Sequence, residues 1–436
     1  MLNTIADQSV RTQSRLNRNQ IRGFWAAWLG WLLDGTDSFI YALVLVPALT
    51  ELLPHSGIPA TIGNVGFYGG LLFALFLVGW GLSLLWGPLA DRFGRVRTLA
   101  LTILWYSVFT FACALAVNVW QLALFRMLAG IGVGGEWSMG GTFVAEEWPE
   151  SRREMGAGFM HTGYYVGFFL AALLNATIGA QYGWRVMFAV GGAPALLVAF
   201  IRYGVHESAR WKIRLTELGT RWTMVDAFAE LFSPRFRHRT FLNSIYVFIS
   251  IVGLWGGSVY GPTALTQLAT AAGLGTAHSA QMASYGTMGL SFGTVLGCLA
   301  VPPLASLVGR RGAQAVFFTI MLVSISVGFG WAFYLSHGAL SWFMVCLFFM
   351  GLGGANHAMY TLWLPEQYPT ECRASAFAFT TSVGRFVGAG ATFLVGAGVS
   401  YFHTIGTPIA WTAGAFAIGL LLLPFGVETR GKPLPA

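Results

Sequence analysis

Charge is scarce in this 436-residue sequence: Asp, Glu, Lys and Arg make up 10% of it, against 56% hydrophobic residues. Soluble domains carry about 25% charged residues. A soluble fold of this composition would leave an unusual amount of apolar surface in water, so an all-α polytopic membrane protein is expected. Cysteine is scarce too. Cys113, Cys298, Cys346 and Cys372 lie in or beside apolar runs without metal-ligand spacing, which suits packing and argues against a metal site. The N-terminus has no apolar core followed by a small-residue cleavage site, so it does not read as a cleaved secretory signal. Catalytic triads, nucleic-acid motifs and appended soluble domains are also missing. The run GIGVGGE lacks the preceding strand and the following Lys-Ser/Thr of a phosphate loop. Neither an enzyme, nor a cofactor or metal, nor a nucleic-acid partner is expected.

The charge that is present is mostly basic, a formal +8, and it is unevenly placed. Basic residues gather at Arg11–Arg22, Arg92–Arg97, Arg152–Arg153, Arg202–Arg239, Arg310–Arg311, Arg373 and Arg430–Lys432. The intervening connections near 51–64, 114–119, 262–280, 335–341 and 400–408 contain no Lys or Arg, and Arg185 stands alone on that side. This alternation follows the positive-inside rule. It places both termini and the long middle loop in the cytoplasm of a bacterial-type inner membrane.

Roughly twenty apolar residues span the hydrocarbon core. On that measure twelve helices are expected, near 23–47, 65–89, 98–116, 119–146, 155–177, 185–205, 240–265, 280–305, 313–335, 341–364, 374–398 and 407–426. The organisation is then a cytoplasmic segment 1–22, a six-helix bundle 23–205, a linker 206–239, a second six-helix bundle 240–426 and a tail 427–436. The halves repeat. WGPLADRFGRVRT (86–98) returns as VPPLASLVGRRGAQ (301–314), aligning Pro88/Pro303, Gly94/Gly309 and Arg95/Arg310. FVAEEWPESRRE returns as LWLPEQYPTECRA, aligning Glu146/Glu366, Pro149/Pro369 and Arg153/Arg373. Parallel repeats of this kind put a substrate path between the halves, which rock against each other.

GPLADRFGRVRT resembles the loop 2–3 signature of the major facilitator superfamily, G-x-x-x-D-R-x-G-R-[RK]. RMLAGIGVGGEW and LLDGTD resemble the sialate:proton and metabolite:proton symporter branches, while HESARW and VETRGKP are similar to sugar-porter motifs. The resemblance covers nearly the whole chain. It implies alternating access, with monocarboxylates, sugar acids or aromatic acids as candidate substrates. Ser306 stands where the second-half motif often has Asp, which implies a weaker second latch.

Five ionisable groups fall within the expected spans: Asp34, Asp37, Arg126, Glu136 and Arg385. Each costs roughly 2.5–3.5 kcal/mol at a helix centre unless it pairs, hydrates or protonates. Three acids against two arginines leave one acid over, a candidate proton carrier. Asp34 and Asp37 are the first candidates for proton coupling, with Glu136 as relay or helix brace. One of the two aspartates locked to Arg126 is the structural alternative. Arg385 and Arg126 are candidate carboxylate binders, since guanidinium offers a planar pair of donors. His161, Tyr164 and Tyr165 form a polar and aromatic stripe on the fifth span. Asn356 and His357 occupy the tenth, and Trp255 shapes the cavity or its outer gate. Most other tryptophans are expected at lipid or the interface. Asp91, Arg92, Arg95, Glu146, Arg153, Arg310, Glu366 and Arg373 sit at helix ends and are expected to form a gating latch. The combined expectation is a monomeric proton-coupled symporter that imports a small organic anion. The alternative is a sugar porter, or an exporter of a neutral or cationic compound.

Overall fold

The computed structural model describes residues 16–193, 204–218, 223–402 and 404–435, and among these every regular element is helical. The expected span 185–205 lies partly outside the described residues, as does the side chain of Trp255. The first helix, α1 (Arg18–His55), starts at a reciprocal cap. The Asn17 side chain accepts from the Gln20 N–H, and the Gln20 side chain accepts from the Asn17 N–H. It bends by 65° between Leu45 and Pro47, where the proline removes a backbone donor.

Among the described residues, the first half continues and its linker opens with α2 (Ile62–Leu82), α3 (Trp86–Phe93), α4 (Arg95–Ala114), α5 (Val119–Glu147), α6 (Arg153–Leu174), α7 (Ala180–Gly191) and the short α8 (Ala209–Leu218). After α9 (Met224–Glu230), the second half holds α10 (Arg237–Ala271), α11 (Thr276–Gly330), α12 (Ala339–Gly354), α13 (Asn356–Trp363), α14 (Arg373–Phe402) and α15 (Gly406–Leu422).

Six described stretches are long and apolar enough to cross a membrane, or seven with the bent α1. Three helices outside that set are long as well: α5 has 29 residues, α10 has 35 and α14 has 30. At about 1.5 Å per residue each exceeds the hydrocarbon thickness. The 55-residue α11 is more than twice that thickness, and it breaks at Gly309.

That break is the structural form of the sequence repeat. Gly94 between α3 and α4 has φ 111° and ψ 151°, and Gly309 has φ 79° and ψ 176°. Both lie in a region that essentially only glycine occupies. Each glycine is followed by a helix start whose free N–H groups meet a carboxylate. Glu207 accepts from Val96 and Arg97 at 3.1 and 3.0 Å, and Glu428 accepts from Arg310 and Arg311 at 3.0 and 3.2 Å. A Cβ at either glycine would run into that carboxylate.

Within the first half α1 packs on α6 and α5, and α5 also carries α2 and α4. In the second, α11 packs on α12 and α15, and α10 packs on α14. The halves meet where α6 runs along α11 and where α14 crosses α2 and α3. The glycines of α5 let these surfaces approach: a side chain at Gly132 would strike Tyr106, and one at Gly141 would strike Phe377 of the other half.

Two outcomes follow. Gly94→Ala and Gly309→Ala should each lower stability by about 1–3 kcal/mol, read as a fall in unfolding temperature; an unchanged midpoint for both refutes the cap geometry. Burial pushes the Glu207 carboxyl above its ordinary 4.5, against the pull of the Arg97 and Val96 N–H groups. Burial acts the same way at Glu428, but the N–H groups of Arg310, Arg430, Arg311 and Thr429 outweigh it and hold that carboxyl below 4.5. The ionised Glu428 cap therefore contributes stability above the ordinary carboxylate range and loses it only as pH falls through its depressed value. The Glu207 cap takes up its proton first. On acidification, hydrogen exchange corrected for intrinsic rates should release Val96 and Arg97 at higher pH than Arg310 and Arg311.

Candidate functional site

The inward faces of the two halves line a small, partly open cavity of about 30 Å³. The first half contributes Trp31 from α1, Trp80 from α2, Trp137 from α5, and His161, Tyr164 and Tyr165 from α6. The second half contributes Ile251 from α10, His357 from α13 and Arg385 from α14. Trp31 stacks on Tyr164 with centroids 4.7 Å apart and on Trp137 at 5.6 Å. His161 and His357 face each other across the halves, nearly parallel at 11° and 6.5 Å apart. The walls are flat rings.

Arg385 supplies the charge. Its guanidinium lies 4.1 Å from the Trp80 ring centroid and 5.6 Å from that of Trp137, and Nη1 donates to the Thr381 carbonyl at 2.6 Å. The ring faces favour a cation there. Among the described residues no carboxylate lies within ion-pair distance of it. The residue is 5% exposed, so the guanidinium is largely removed from water.

The other expected substrate arginine is placed differently. Arg126 pairs with Asp37 at 3.2 Å, both side chains fully buried, and Thr110 donates to the same aspartate at 2.9 Å. Tyr41 and Phe76 cover the guanidinium at 4.6 and 4.4 Å. This matches the structural alternative, an aspartate locked to Arg126, and neither residue lines the cavity. The pair ties α1 to α5.

Asp34 and Glu136 stand apart. Both are buried, and none of their four carboxyl oxygens has a hydrogen-bond partner. The Tyr106 hydroxyl lies near Glu136, but it too is without a partner of hydrogen-bond geometry. Gly30, one turn before Asp34, leaves room for the Glu136 carboxyl: a Cβ there would sit 2.7 Å from Oε2. The two acids are thus neighbours across the α1–α5 seam, and Trp31 and Trp137 beside them in sequence line the cavity.

Asn356 is buried beside His357, but its amide donates to the Gly353 carbonyl at 2.8 Å and it does not line the cavity. The tryptophans correct an expectation. Trp31, Trp80 and Trp137 are 2–3% exposed and form the cavity, where lipid or interfacial positions were expected. The signal was available: Trp31 is three residues before Asp34 on one helix face, and Trp137 follows Glu136.

The basic end of the molecule is closed by charged groups at helix termini. Asp91 accepts from the Ala374 N–H at 3.2 Å, the Ser375 N–H at 2.8 Å and the Ser375 hydroxyl at 2.6 Å. It thereby caps α14 of the opposite half, where free N–H groups and the helix dipole favour an anion. Arg95 lies 3.1 Å from Asp91 and donates at 2.9 Å to Glu146, which Arg373 from the other half reaches at the same distance. The repeat builds a counterpart. Arg310 grips Glu366 with two bonds of 2.9 and 2.8 Å, and Arg153 reaches Glu366 across the halves at 3.4 Å. Arg310 also pairs with Glu154 of the first half. Ser306, at the position matching Asp91, turns its hydroxyl back to the Pro303 carbonyl instead of capping the facing helix. Among the described residues, Arg92 joins none of these contacts.

A two-bundle helical fold with a ring-lined central cavity and charged latches at one end is that of a membrane transporter. The chain belongs to the major facilitator superfamily, whose profile matches residues 27–392. It is 31% identical over 427 residues to a probable 4-methylmuconolactone transporter of Cupriavidus pinatubonensis (strain JMP 134 / LMG 1197), covering 94% of this chain and 91% of that one. It is 26% identical over 422 residues to the sialic acid transporter NanX of Escherichia coli (strain K12), covering 96% of both. Among solved structures it is similar to the proton:xylose symporter XylE bound to 6-bromo-6-deoxy-D-glucose, with a TM-score of 0.79 at 19% identity, over 95% of this chain and 98% of that one. That last likeness shows the fold. The protein is a transporter and not an enzyme.

Asp91→Asn keeps the side-chain size but removes the charge at the α14 cap. Charge-assisted bonds contribute about 1.5–3 kcal/mol net, so the balance should shift toward opening at the basic end. A cysteine at Ser382, buried beneath the latch and 3.2 Å from Ser83, reports it. Thiol labelling of Ser382→Cys should accelerate in the Asp91→Asn background; equal rates refute the latch.

Proposed function

We propose that the protein is a proton-coupled symporter that imports a small organic anion across the bacterial inner membrane by alternating access. In this reading it acts as a monomer, with both termini and the basic end in the cytoplasm and no cofactor beyond the proton. The observation that carries it is Arg385, a buried guanidinium in the ring-lined cavity without a carboxylate partner among the described residues. A cation so placed suits a carboxylate that arrives from outside and leaves again.

Charge balance supplies the coupling. Asp37 and Arg126 neutralise each other, which leaves Asp34, Glu136 and Arg385. With both acids ionised these three carry a net negative charge. One proton shared by the acids brings the sum to zero, the cheap state for a dry interior. A monoanion on Arg385 restores the imbalance, and a second proton removes it. One proton thus accompanies each monoanion, and the pH gradient drives the cycle. The organic anions named for the relatives fit this chemistry.

Proteoliposomes with an imposed proton gradient test the reading against a panel of labelled monocarboxylates. Arg385→Gln should lower uptake ten- to hundredfold, the loss expected for a charge-assisted contact of about 1.5–3 kcal/mol. Asp34→Asn or Glu136→Gln should abolish accumulation while sparing exchange. Accumulation that survives in both acid variants refutes the proton assignment, and uptake indifferent to carboxylates but inhibited by cations favours the exporter reading.

A further inference from the structure

The cavity in this state is smaller than any organic anion it would carry. Its volume is about 30 Å³, against on the order of 150 Å³ for a space that holds benzene. Trp31 stacks directly on Tyr164 and on Trp137, with centroids 4.7 and 5.6 Å apart, so the rings leave no gap between them. A solute reaching Arg385 must therefore displace part of the lining. Which ring yields decides what else moves with it.

Among the described residues, Trp137 is the one lining residue hydrogen-bonded to the opposite half. Its Nε1 donates to the Thr361 hydroxyl of α13 at 2.8 Å, and the two residues are 2% and 1% exposed. Its ring meets Phe377 of α14 edge-on at 5.4 Å and lies 6.2 Å from His357 and 5.6 Å from the Arg385 guanidinium. Gly141, one turn along α5, permits this approach: a Cβ there would sit 2.6 Å from Phe377 Cε1 and 3.2 Å from Thr361 Cγ2. By contrast, the indole N–H groups of Trp31 and Trp80 have no partner. The bridge also sits between cavity and latch. Along the second half, Thr361 lies between the lining His357 and the latch residue Glu366, and along α5 Trp137 precedes Glu146.

We propose that Trp137 transmits occupancy of the cavity to the closed basic end. An anion seated on Arg385 pushes the indole aside, the Trp137–Thr361 bond breaks, and the closed arrangement loses a contact between the halves just above the latch. The empty protein keeps the bond and stays shut. A ligand shifts such an equilibrium only by interacting differently with its two states. Displacement of a ring that bridges the halves is a difference of that kind. This rests on the reading of the cavity as the anion site and adds the positioning residue that reports its filling.

The test uses the full-length protein in nanodiscs carrying Ser382→Cys, whose maleimide labelling reads opening at the basic end. The four native cysteines, all buried, set the background rate. The probe anions are benzoate and nicotinate, with binding read by isothermal calorimetry, which also identifies folded variants. A probe that binds should accelerate labelling of the parent. Trp137→Phe keeps a ring but removes the donor, and Thr361→Val keeps the shape but removes the acceptor. Either one, when empty, should label about two- to tenfold faster than the parent, the range for loss of one neutral hydrogen bond. The probe should then add less than about twofold. The double variant should label no faster than the faster single one, and Thr361→Ser, which keeps the hydroxyl, should label as the parent does. A bound probe that leaves the parent's rate unchanged, or a probe response as large in both variants as in the parent, overturns the inference while the anion-carrier reading stands. Empty variants that label at the parent rate, or Thr361→Ser behaving as Thr361→Val, do the same. Failure of both anions to bind the parent overturns this inference and the anion site together.

Discussion

An ionised group in a dry interior must find an opposite charge, water or a proton, and the rest of this structure is arranged around that demand. Asp37 and Arg126 neutralise each other through Nη1, with Thr110 also donating to the aspartate and rings covering the guanidinium, whose Nε and Nη2 have no partner. Asp34 and Glu136 have no hydrogen-bond partner at either carboxyl oxygen, and among the described residues no carboxylate pairs with Arg385. The first pair ties α1 to α5. The second set carries the unmet need on which the proposed proton coupling rests. In that reading, stability and function draw on separate charges of the same helices.

The closed end shows a different use of charge. Three of its carboxylates act on backbone, capping helix starts: Asp91 on α14, Glu207 on α4 and Glu428 on the segment of α11 that follows Gly309. Bonds of this kind couple the position of a whole helix to one side chain. The repeat is visible here as paired function, since Gly94 with Glu207 and Gly309 with Glu428 build the same corner twice. It is broken where Ser306 replaces an acid, so capping of the opposite half comes from the Asp91 side.

Much of this was legible in the sequence because membrane burial makes charge conspicuous. Asp34, Asp37, Arg126, Glu136 and Arg385 stood out against apolar runs, and all five are buried. The repeated loop motifs located the latch residues. Pairing was not legible, since Asp37 and Arg126 are 89 positions apart and their meeting depends on how α1 crosses α5. The tryptophans misled for a related reason. An indole suits an interface with water as well as it suits a buried wall, and composition does not distinguish the two. Trp31 and Trp137 became distinguishable only by their place beside the unpaired acids. Gly30 was hidden likewise, because its meaning is the carboxyl that fills the space where its side chain would be.

Glu146 accepts from Arg95 of its own half and from Arg373 of the other. In the proposed alternating access, parting of the halves would leave it the first partner and cost it the second. Arg373 then retains the Pro365 and Pro435 carbonyls and the Thr370 hydroxyl, at 3.1, 2.6 and 3.0 Å. Neither group is stripped bare by the separation. On that reading the clasp would exchange one contact among several, so unfastening would demand far less than rupture of an isolated ion pair, with the same groups in place to refasten.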